Sequence, residues 1–226
     1  MTVLEAHIAF KIEVDKNAVN IGISGCPSFL PEEIDYWLYT ALLSKLATKF
    51  TGHNTIQVPF EGAVKRVSDL EGLIRTDKNV AITQGDYNSL VIEDYADNGN
   101  RMYYVSALLH FGNTTSIVRL ITHEIADKYR KTYNNHPWIE VPVGILENGR
   151  LEVLIDPDLM PNPYSIDLTY IKKPTIISYT MTGDCMEGIP EYMQYEIIKL
   201  AADMAIENIE SPRSQTHPQY VTQLSE

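Results

Sequence analysis

The sequence predicts an α+β fold: a helical bundle made from N- and C-terminal helices, with a central, mainly antiparallel β domain. Three observations predict it. Apolar residues recur every three to four positions after Pro31 and again after Pro190. The stretch between them reads as short β runs divided by turn residues. Asn148-Gly149 lies between two such runs, and this pair favours a tight hairpin. Helices at the ends and strands in the middle are segregated rather than alternating, which points to α+β. The helical part is assigned to 1–78 and 180–210, the β-rich part to 79–179, and an extended C-terminal arm to 211–226.

Pro31 suits the first position of a helix, and Glu32, Glu33 and Asp35 favour its positive end. Ile34, Trp37, Leu38, Ala41, Leu42 and Leu46 carry the helical spacing to Phe50, with Gly52 as the stop. A second helix is expected over Glu61–Arg75, from Ala63, Val64, Val67, Leu70 and Ile74. The expected strands are Val80–Thr83, Leu90–Glu93, Met102–Phe111, Ser116–Thr122, Val141–Leu146, Leu151–Ile155 and Ile166–Lys172. A short helix over Glu124–Lys131 interrupts them. The last helix starts near Pro190, and Met193, Ile197, Leu200, Ala201, Met204 and Ala205 form its apolar stripe. Pro212 and Pro218 disfavour helix in the tail, where Tyr220, Val221 and Leu224 offer small apolar anchors for another chain. The first ten residues carry Glu5 and His7 and no long apolar run, so neither a signal peptide nor a membrane span is expected.

The formal net charge is -12, from 30 acidic and 18 basic residues, and no basic stripe of the kind that grips phosphates is present. The ordinary reading is a solvated acidic surface that aids solubility; the sharper alternative is an acidic wall that lets DNA pass without sticking. Cys26 and Cys185 lie far apart and are expected to be free thiols. The 14 tyrosines against 5 phenylalanines suit an interface as well as edge strands inside one subunit.

Motifs for chemistry are incomplete. His123-Glu124 begins like a zinc-binding helix, but Asp127 stands where the second histidine is needed. Cys26 with His53 or His123 would make a thiol nucleophile only if the fold joined them; a small buried thiol is the ordinary alternative. Asp156, Asp158 and Asp167 flank a proline-rich loop, yet their spacing matches no calcium loop, and aspartate capping of turns explains them. The sequence therefore predicts no catalytic residue, no cofactor, no metal and no enzyme.

Three segments together resemble structural proteins of crAss-like phages. The first is Val118-Arg119-Leu120-Ile121-Thr122-His123-Glu124-Ile125-Ala126-Asp127-Lys128-Tyr129, followed by Asn134-Asn135-His136-Pro137-Trp138. The second is Ile166-Asp167-Leu168-Thr169-Tyr170-Ile171-Lys172-Lys173-Pro174. The third is Ile189-Pro190-Glu191 with Ile209-Glu210-Ser211-Pro212-Arg213. The helix–β–helix order is also similar to the head-to-tail adaptors of short-tailed phages. That resemblance implies a virion protein of the neck or tail, made in the host bacterial cytoplasm. It implies copies of itself in a ring, usually twelve-fold, below the portal. Partners would be the portal or neighbouring ring and tail proteins, with DNA passing through unbound and no membrane contact. The implied interface residues are Trp138 and, on the arm, Tyr220, Val221 and Leu224. The long β section departs from compact adaptors and leaves the particular ring open. A tail-accessory or assembly binding module is the alternative, and a hydrolase using Cys26 or the aspartate-rich loop is a third reading.

Overall fold

The structure is a computed structural model that describes residues 1–19, 28–51, 64–85, 89–95, 97–112, 114–131, 137–138, 140–155 and 164–208. The fold is α+β. Its helices, among the described residues, are α1 (Val3–Val19), α2 (Pro31–Thr51), α3 (Val64–Leu70), α4 (His123–Lys131) and α5 (Glu191–Asn208). Its strands are β1 (Ile74–Val80), β2 (Thr83–Gln84), β3 (Ser89–Ile92), β4 (Arg101–Phe111), β5 (Thr114–Ile117), β6 (Arg119–Leu120), β7 (Val143–Glu147), β8 (Arg150–Leu154) and β9 (Tyr164–Lys172). Two compact units result: Met1–Leu73 with Pro174–Glu226, and Ile74–Lys173.

The first unit is helical, with α1 and α2 both packed on α5. No helix was expected at α1, yet its start is a complete capping box. Thr2 N donates to the Glu5 carboxylate at 2.8 Å, and Glu5 N donates to the Thr2 hydroxyl at 3.3 Å. Val3, Ala6, Phe10 and Val14 then face inward. Helix α2 starts with Leu30 N donating to the Glu33 carboxylate at 2.9 Å. It buries Ile34, Leu38, Ala41, Leu42 and Leu46, while α5 buries Met193, Ile197, Ile198, Ala201 and Ala205. The two run antiparallel: Lys45, late in α2, donates to Glu196, early in α5, at 3.3 Å.

The helix expected over Glu61–Arg75 is shorter. It ends at Leu70 in one 3-10 turn, Glu71–Leu73, and the chain turns to strand at Ile74. Pairing of β1 with β9 wins over the helical spacing there. Gly72 is required at the join, since a Cβ on it would lie 2.1 Å from the Gly188 carbonyl oxygen.

The second unit is a two-sheet sandwich. One sheet has the order β1-β9-β4-β5 and the other β2-β3-β8-β7-β6, all antiparallel except the β6–β7 pair. Ala107, Leu109, Phe111, Ile166 and Leu168 of the first sheet meet Leu90, Ile92, Leu151 and Val153 of the second. Helix α4 covers part of the second sheet's outer face through Ala126, against Ile145 and Leu154. The expected strand Val80–Thr83 is instead the passage between sheets: β1 ends at Val80 and β2 begins at Thr83. Asn79 there has φ 53°, and the β1–β9 register shifts between Asp77 and Val80. The expected strand Ser116–Thr122 divides in the same way into β5 and β6, which belong to different sheets.

Candidate functional site

The described residues carry large aliphatic and aromatic side chains at the surface of both units. In α1, Leu4, Ile8 and Ile12 are 70%, 51% and 49% exposed. Their four-residue spacing puts them in one row along the helix. The opposite positions of α1 are spent on the core. Glu5, Lys11 and Asp15 are exposed on the same outer side as the aliphatic row.

The second unit has its own exposed patch. Trp138 is 78% exposed, on a turn closed by Val141 N donating to the Trp138 carbonyl at 2.9 Å. The turn is fastened to β6, because Arg119 N donates to the Pro142 carbonyl at 2.9 Å. Val141 and Leu120 are also exposed, and β6 is the outermost strand of its sheet. Trp138 is the one implied interface residue that the structure describes. Tyr220, Val221 and Leu224 lie outside the described residues, as do Cys26, His53, Asp156 and Asp158.

Of the polar residues weighed for chemistry, His123 opens α4 and is exposed, and Asp167 makes contacts within the second unit. Asp167 accepts from Asn79 N at 2.9 Å and lies 3.1 Å from His110 Nε2, and these bonds, the backbone one first, hold its carboxyl below the usual range. Cys185 is a buried free thiol, pushed up by burial and then by the charge of Asp184. Among the described residues no group of three His, Cys, Asp or Glu side chains is arranged to hold a metal ion.

Buried polar pairs join the helices of the first unit. His7 Nε2 lies 2.7 Å from Asp35 Oδ1, and Asp35 Oδ2 accepts from Tyr179 N at 2.7 Å. Lys49 lies 2.8 Å from Asp69, which also accepts from the Tyr192 hydroxyl; that bond to Asp69 pushes the phenol up to about 12. Each of these groups binds a neighbour within the first unit, and the network fixes helix register. Sequence reasoning missed the α1 row because it missed the helix; the Thr2-x-x-Glu5 pattern was its available signal.

The chain matches no protein-family model and no curated protein. No helix of the described residues is long and apolar enough to cross a membrane.

Proposed function

We propose that this chain is a structural subunit of a tailed-phage virion. Copies of it close into a ring in the neck or tail, next to the portal or a neighbouring ring, and the genome passes through. In this reading it is not an enzyme and holds no cofactor. The observation that carries the proposal is the exposed Leu4, Ile8 and Ile12 row of α1. Three large aliphatic side chains in line on a helix whose other side is already in the core mark an association face. Trp138 supplies a second, different apolar patch, and a closed ring needs two unlike patches on each subunit. The resemblance of the segments around His123, Thr169 and Pro190 to crAss-like phage structural proteins supplies the setting. The acidic balance, a net charge of -12, suits a channel wall that does not hold DNA.

The test is the mass of the purified protein in solution and the effect of Ile8→Asp on it. The wild type is expected to form a defined multimer, and Ile8→Asp to be a folded monomer with an unchanged melting temperature, since Ile8 is outside the core. A wild type that stays monomeric at high concentration and is absent from purified particles overturns the reading.

A further inference from the structure

The exposed row of Leu4, Ile8 and Ile12 needs an occupant, and the chain itself contains a segment that matches it. Helix α5 ends at Asn208, and residues 209–226 follow it in the sequence.

The bundle fixes where that segment starts. Lys45 of α2 meets Glu196 of α5 at 3.3 Å. Ten residues back along α2, Asp35 meets His7 of α1 at 2.7 Å. Because α5 runs antiparallel to α2, ten residues beyond Glu196 is about 15 Å along the axis, which brings Ile206 level with His7. Helices α1 and α5 pack directly on each other. The chain therefore leaves α5 beside the middle of α1, next to the row.

The spacing of the row matches an extended chain. Leu4, Ile8 and Ile12 are four residues apart, a step of about 6 Å along a helix. In an extended chain alternate residues share a face, at a step of roughly 6.6 Å. Tyr220, Thr222 and Leu224 are such a set: two large side chains with a threonine methyl between them. Pro218 precedes them and disfavours helix. From Gln219 to Ser225 the sequence carries no charge, so it sets no like charge against Glu5, Lys11 and Asp15 on the outer side of α1.

We propose that residues 219–225 of one copy lie extended along the α1 row of the next copy, with Tyr220 and Leu224 against Leu4, Ile8 and Ile12. The inference rests on the ring reading and names what the α1 face receives. Since α5 ends beside α1, each tail starts at the face where the next subunit sits and has only to cross over to it. The contact is heterologous, tail to helix, so it repeats from copy to copy until the ring closes. The Trp138 patch of the next copy is the competing occupant.

The experiment is the mass in solution of full-length variants, taken singly and mixed. The wild type is expected to be a multimer. Leu224→Asp alters only the tail and Ile8→Asp only the row, and each should be a monomer with the far-UV circular dichroism of the wild type. Mixed in equal amounts at high concentration, the two should form a dimer of one chain of each and nothing larger. The intact tail of the Ile8→Asp chain seats on the intact row of the Leu224→Asp chain, and the reverse contact is broken on both sides. A wild-type multimer that Leu224→Asp leaves whole overturns the inference while the ring reading stands, and loss of that multimer in Trp138→Asp would then give the row to the Trp138 patch. A mixture that stays monomeric puts the tail on its own chain and also overturns it. A monomeric wild type overturns the inference together with the ring reading.

Discussion

Arg101 connects four parts of the second unit. Its guanidinium lies 2.6 Å from Asp77 on β1, donates to the carbonyls of Asp94 and Tyr95 at 3.0 and 2.9 Å, and sits 5.0 Å from the centre of the Tyr170 ring. Burial opposes its charge, but the bonds to Asp77 and Tyr170 outweigh that and raise its pKa. Lysine has no planar fork and cannot make these contacts together. Arg101→Lys should therefore destabilise the protein nearly as much as Arg101→Ala, by about 1–3 kcal/mol after allowing for the half-open Asp77 side. Urea denaturation checks this; full stability of Arg101→Lys would mean that charge alone matters. None of these partners is near Arg101 in sequence except Asp94 and Tyr95, so no local pattern could show the cluster.

The pairing of α2 with α5 rests on two matched apolar stripes, and these were legible. Leu38 and Ile197 were expected to face each other's helices, and both are fully buried. Leu38→Asp or Ile197→Asp puts an unpaired charge in that core at a cost of several kcal/mol, comparable to total stability, and neither variant should give a cooperative melt by circular dichroism. The hairpin at Asn148-Gly149 was equally legible, because its chemistry is local. Helix α1 is legible only from its capping box and the inward spacing of Val3, Ala6, Phe10 and Val14, because Glu5 and His7 interrupt the apolar run. The strand errors share one cause. Val80–Thr83 and Ser116–Thr122 look continuous, but each is where the chain leaves one sheet for the other, and that break is set by distant partners. Of the implied interface residues only Trp138 lies among the described residues. The exposed row on α1 depends on which faces the fold covers, which no spacing rule reports.

The second unit is an insertion between the halves of the first. Chain enters it at Ile74 and leaves after β9, and Ile74 is the cross-strand partner of Ile171, so its two ends are neighbours. A sheet pair of this kind brings its ends within roughly 5 Å. Residues 74–173 expressed alone should therefore fold and melt cooperatively, with amide shifts close to those in the full chain; a disordered product would show that the helical unit is needed to hold them. The same arrangement governs the order of events during synthesis. The contiguous sandwich is complete once Lys173 has left the ribosome. Helix α2, by contrast, ends at Thr51 and waits for α5, which begins at Glu191. At typical rates of chain elongation that wait is on the order of ten seconds. Throughout it, Ile34, Leu38, Leu42 and Leu46 lack the cover that α5 gives them in the folded chain.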